Sequence, residues 1–148
     1  MRLLRTLALV TCCGLAVGVV AATASSRSAA AVKVEKTKLG KVIANSKGLT
    51  LYMFRKDHAH KSACYSSCAK FWPPLLTTGK PVAGAGVKAA LLGTSKRTDG
   101  KLQVTYKGYP LYMFLEDKKP GDTKGEGSKA FGAGWYALTP TGVVIDRG

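Results

Sequence analysis

The sequence predicts a mainly β protein: two tandem antiparallel β modules, related by internal duplication and packed as one compact domain. Three observations carry this expectation. The pattern G-x-x-L-Y-M-F-x-x-D occurs twice, from Gly48 to Asp57 and from Gly108 to Asp117, at an offset of 60 residues. A second pattern, W-x-x-L-x-x-T-G, follows each in the same order, from Trp72 to Gly79 and from Trp135 to Gly142, at an offset of 63. Two ordered matches mark duplication of one supersecondary unit. The third observation is alternation: Leu102, Val104 and Tyr106 interleave with Gln103, Thr105 and Lys107, the period of a half-buried strand.

In the second copy, Asp99-Gly100 is a hairpin signal, so residues 91–96 should form the strand before it. Gly108 then turns the chain into Leu111-Tyr112-Met113-Phe114, apolar on both faces and therefore central. The first copy repeats this with a strand over 41–44, a turn at Asn45-Ser46-Lys47-Gly48 and a strand over 49–54. The Trp72 and Trp135 segments close the two copies. The second ends in a hairpin through Thr139-Pro140-Thr141-Gly142 to Val143 and Ile145. No segment keeps a helical period, apart from a candidate single turn over residues 62–70.

Aromatic residues recur at matched places: Tyr52 with Tyr112, Phe54 with Phe114, Trp72 with Trp135. Large rings supply most of the buried apolar area of a small β domain, so these are core candidates. Met53 and Met113 alternate with the tyrosines and should face the other side of their strands. Asp57 and Asp117 end equivalent strands, where a short acidic side chain caps or turns the backbone. These eight aromatic and acidic positions form a structural repeat motif.

The chain opens with Arg2 and Arg5, an apolar run from Leu7 to Val20, and small residues through Ala24 and Ala30. This is the make-up of a secretory signal peptide. Residues 1–31 are thus assigned to signal peptide and leader, 32–82 to the first β repeat with its Cys64/Cys68 loop, and 83–148 to the second. A lipid anchor at Cys12 or Cys13 is disfavoured, because Thr11 precedes Cys12 and the apolar run continues past both cysteines. Losing residues 1–31 removes Arg2, Arg5 and Arg27 and no acid, so the formal charge of +15 becomes +12. Such a chain is drawn to anionic surfaces, which for an exported protein are envelope polymers or lipid headgroups. Nucleic acid is not expected: the lysines are spread along the chain and form no arginine-rich or aromatic-interleaved motif. A protein partner is the other binding expectation.

Two chemistries compete for the segment between Asp57 and Trp72. With the leader gone, Cys64 and Cys68 are the remaining cysteines, and in an exported chain they most simply form a disulfide. An ideal helix would hold them too far apart, so the turn must be distorted. Alternatively His58, His60, Cys64 and Cys68 could bind copper or zinc and serve metal binding or electron transfer. The position where a binuclear copper centre carries histidine is Trp72 here, and the second copy has no cysteine or histidine. Catalytic residues are not assigned: the sequence contains no G-x-S-x-G, H-E-x-x-H or phosphate-loop pattern. The glycine-rich stretch 121–134, with Lys118, Lys119, Lys124 and Lys129 in or beside it, is read as a surface loop.

Tyr52-Met53-Phe54-Arg55-Lys56-Asp57 and Tyr112-Met113-Phe114-Leu115-Glu116-Asp117 fit the motif Y-x-[FWY]-x-x-D. With Cys64-x-x-x-Cys68 before Trp72-Pro73-Pro74, and Gly121-Asp122, Gly125 and Gly127 before Trp135, residues 35–146 resemble the bacterial secreted repeat of unknown function, a family also described as predicted lipoproteins. The resemblance implies export and tandem repeats. It brings no established activity, so the expected function is that of a non-enzymatic exported envelope protein.

Overall fold

A computed structural model describes residues 28–147. The stretch read as a signal peptide, with the lipidation candidates Cys12 and Cys13, lies outside the described residues. Among those described, no helix is long and apolar enough to cross a membrane.

The first copy contains β1 (Ala31–Thr37), β2 (Gly40–Asn45), β3 (Tyr52–Phe54), the short helix α1 (Ser66–Phe71), β4 (Leu76–Thr77) and β5 (Val82–Ala83). The second contains β6 (Leu92–Lys96), β7 (Leu102–Tyr106), β8 (Tyr109–Pro110) and β9 (Trp135–Ala137). The Asp99-Gly100 hairpin is present, with Thr94 opposite Val104. The last hairpin is a single bridge, Leu138 to Val144, closed by Thr139 N–H donating to Val143 O at 2.9 Å. β1 adds to the elements expected from sequence. It begins at Ala31, inside the stretch assigned to the leader, and Val82 N–H donates to Ala30 O at 2.8 Å. The folded part therefore reaches into that stretch.

The two copies exchange their closing strands. β3 of copy one pairs antiparallel with β9 of copy two, Tyr52 opposite Ala137 and Phe54 opposite Trp135. Reciprocally, Tyr112 bridges Pro74, and Met113 N–H donates to Pro73 O at 2.9 Å. The central strand expected at Leu111–Phe114 is reduced to isolated bridges at Tyr112, since β8 ends at Pro110; there Tyr52 N–H donates to Tyr112 O at 2.8 Å and Tyr112 N–H to Tyr52 O at 3.0 Å. The same reciprocity holds one layer out. Ile43 N–H donates to Leu138 O at 3.0 Å and Val104 N–H to Leu75 O at 2.8 Å. Each Trp segment thus closes the opposite copy, where the sequence suggested that it closes its own.

Strand alternation sorts side chains onto two cores. Leu51, Met53, Leu111, Tyr136 and Leu138 join Val32, Ile43 and Val104 in one cluster. Tyr52, Phe54, Tyr112, Trp135 and Ala137 join Trp72, Val42 and both cysteines in the other. This is the period of two that places Met53 opposite Tyr52.

Candidate functional site

The repeated motif residues converge where the two copies meet. Trp72 and Trp135 stack face to face, centroids 3.9 Å apart and planes 7° apart. Phe54 stacks on Trp135 at 3.9 Å and Phe114 on Trp72 at 4.4 Å, giving a continuous pile of four rings. Tyr52 meets Trp72 edge-on at 5.5 Å, and Tyr112 meets Trp135 edge-on at 5.2 Å. Both indoles and both phenols are fully buried.

Each tyrosine reaches the aspartate of the other copy. Tyr52 OH donates to Asp117 Oδ2 at 2.7 Å, and Tyr112 OH donates to Asp57 Oδ2 at 2.9 Å. The second oxygen of each carboxylate accepts a loop N–H, from Ala63 to Asp57 at 2.8 Å and from Lys124 to Asp117 at 2.9 Å. Burial and the neighbouring carboxylates hold both phenols above their usual range. Desolvation likewise raises Asp117, and lifts Asp57 to about 6. The phenol and carboxylate groups of the motif therefore find their partners inside the protein, as most buried polar groups do.

The raised Asp57 acid constant gives a pH signature. Its native carboxyl binds a proton below about pH 6, whereas an unfolded aspartate waits until about pH 4. This group therefore favours the native state increasingly as pH falls through that window, and the contribution is lost as pH rises through 6. Comparing wild type with Asp57→Asn cancels every other titrating group to first order. The melting-temperature difference, wild type minus variant, is expected to be larger at pH 4.5 than at pH 7. An equal difference at the two pH values would refute it.

The surroundings of the two halves differ. In copy one Cys64 and Cys68 form a disulfide, their Cα atoms 5.3 Å apart. This close approach is reached because α1 begins only at Ser66, after an extended Tyr65, so Cys64 stands outside the helix. With the sulfurs joined to each other, neither is a free thiolate ligand. Ala59 and His60, both at positive φ, form the tip of a tight hairpin between His58 and Lys61. His60 Nδ1 lies 2.8 Å from Gly108 O, so its ring is engaged with the second copy. Gly108, at φ +82°, is required there twice, since a Cβ would also overlap the His60 ring. Among the described residues, no group of three or more His, Cys, Asp or Glu side chains is placed to hold a metal. The copper or zinc alternative thus lacks a ligand set in the segment proposed for it.

In copy two the glycine-rich loop takes the place of the disulfide turn. Gly125 lies flat under the motif: its N–H approaches Tyr52 OH at 3.3 Å, and a Cβ would come within 2.7 Å of the Trp72 ring. Trp135 Nε1 donates to Ala130 O at 2.8 Å, whereas Trp72 Nε1 has no partner. Much of this stretch is therefore part of the packing around the motif.

Arg97, Ser62 and Glu126 carry no signal in the sequence beyond their chemistry. The buried Arg97 guanidinium donates to Gln103 Oε1 at 2.7 Å, Ser62 Oγ at 2.8 Å and Cys64 O at 2.8 Å, and lies over the Tyr65 ring. Ser62 Oγ also stands 2.7 Å from Tyr112 OH, which links this arginine to the Asp57 pair. Glu126 Oε2 accepts Ala137 N–H at 2.7 Å and so takes the place of a neighbouring strand beside β9.

No curated protein and no solved structure matches the chain. A family model matches residues 33–76 and 93–139, one segment in each copy. The motifs, their duplication and this match over more than half of the sequence place the chain in the family described as a secreted repeat of unknown function.

Proposed function

We propose that this exported protein is non-enzymatic and binds a polyanionic surface of the cell envelope. The observation that carries this reading is the division of labour between acids and bases. The acids are largely committed within the fold: Asp57 and Asp117 to tyrosines and loop N–H groups, Glu126 to β9, and Asp122 to Lys118 and Lys119 N–H. Lys33, Arg55 and Arg97 pair with acids, against a formal excess of +15. The excess charge is therefore displayed by lysines on the outside.

The tip of the β1–β2 hairpin concentrates it. Lys36 stands directly opposite Lys41 in the ladder, and Lys38 occupies the turn, all three exposed. Like charges in facing positions oppose each other, and a bound polyanion would relieve that repulsion. Arg147 joins them, its Nη2 donating to Leu39 O at 3.1 Å.

The test is titration of the mature protein with polyphosphate across a salt series. Affinity is expected to fall steeply and linearly in logarithmic coordinates with added salt. Replacing Lys36, Lys38 and Lys41 together with serine is expected to weaken binding by about a hundredfold at low salt, from about 1 kcal/mol per cation near an anionic surface. Failure of wild type to bind at low ionic strength would overturn the reading.

A further inference from the structure

Exposed large apolar side chains are few among the described residues, and three of them gather in one place. Phe71, Leu115 and Phe131 are 50, 46 and 37% exposed. Leu115 N–H donates to Phe71 O at 2.9 Å, which sets the two residues side by side, and the Phe71 and Phe131 rings lie 6.1 Å apart. Sequence distance hid this cluster: its members come from α1, the turn that follows Phe114 and the glycine-rich loop.

Two features make it more than scattered surface apolarity. Phe131 is held at φ +64°, ψ 23°, a conformation that a bulky L residue seldom adopts. The surrounding bonds impose it, with Trp135 N–H on Ser128 O at 2.9 Å and Trp135 Nε1 on Ala130 O. Strain retained at an exposed aromatic is a pointer to use. Cations rim the cluster. The exposed Lys70 precedes Phe71, and Lys124 Nζ is held 3.2 Å from Glu116 O, next to Leu115, whereas the Lys129 ammonium is turned to the Tyr136 hydroxyl and ring. Glu116 is the acid at this edge.

We propose that the Phe71–Leu115–Phe131 cluster is a membrane-docking surface, which seats in the headgroup region of an anionic lipid bilayer while its lysine rim contacts the phosphates. A soluble wall polymer offers charge but no apolar phase, so exposed rings beside lysines favour lipid as the occupant. The inference rests on the polyanion reading and narrows it to one partner.

Cosedimentation with vesicles of phosphatidylglycerol and phosphatidylcholine, run beside the polyphosphate titration, tests both. The double variant Phe71→Ser/Phe131→Ser is expected to lose about tenfold or more in partition onto phosphatidylglycerol vesicles, as half-exposed rings no longer enter the interface, with polyphosphate affinity unchanged. Phe131→Gly relieves the backbone strain and so serves as a variant that keeps its fold. It should show part of the same loss. Val82→Ser/Val143→Ser, at exposed apolar positions elsewhere, should bind as wild type does. Equal vesicle binding by wild type and the phenylalanine variants overturns the docking surface. Wild type that binds polyphosphate but not vesicles overturns it too and leaves the polyanion reading standing. Binding to neither overturns that reading.

Discussion

Replacing Trp135 with alanine is expected to lower the unfolding free energy by about 3–5 kcal/mol, the usual cost of removing a large aromatic side chain from a core. The site makes the upper part of that range the expectation. Trp135 is fully buried, stacks on Phe54 and Trp72 at the same time, receives the edge of Tyr112 and donates its own N–H to Ala130 O. Little can collapse into the space, because the ring lies in the middle of a pile whose members belong to both copies. Small domains have about 5–15 kcal/mol of stability, so this one substitution should remove a large share of it. Urea denaturation followed by far-ultraviolet circular dichroism measures this. A loss below about 1 kcal/mol would show that the stack is not the centre of the core.

Neither copy is expected to fold as a monomer when expressed alone. A fragment of residues 28–82 keeps the Tyr52 strand but loses β9, its antiparallel neighbour, and also the Tyr112 bridge from copy two on its other side. It loses the partner of Tyr52 OH as well, since Asp117 belongs to copy two. The complementary fragment, 83–148, loses Pro73 O, Leu75 O and Asp57 in the same way. Each half would expose unpaired strand edges and half of the indole stack to water, a combination that leaves unsatisfied backbone groups or drives association. Circular dichroism with gel filtration should find no folded monomer of either fragment, and mixing the two should restore the strand signal. A folded monomeric fragment would refute the exchange of closing strands as the basis of stability.

These two expectations divide what was legible in the sequence from what was not. Legible in the sequence were the duplication, the strands at Tyr52 and Tyr106, the two-sided sorting that sends Met53 away from Tyr52, the cysteine pair and the family, whereas the central strand expected at Leu111–Phe114 is only a pair of bridges at Tyr112. The legible features are all local patterns or compositions, and the period of two tells which face of a strand is buried. Tertiary structure alone decided that β9 lies against β3, that Tyr52 bonds Asp117 and not Asp57, that Arg97 ends beside Ser62 and Cys64, and that Phe71, Leu115 and Phe131 share one surface. The physical reason is that a strand's side chains record its faces, whereas its edges pair through backbone N–H and C=O groups that are the same in nearly every residue. In a duplicated chain the two candidate partners of each edge also carry almost the same side chains. Only the packing of the whole chain, with both Trp segments seated at once, selects between pairing within a copy and pairing across the two.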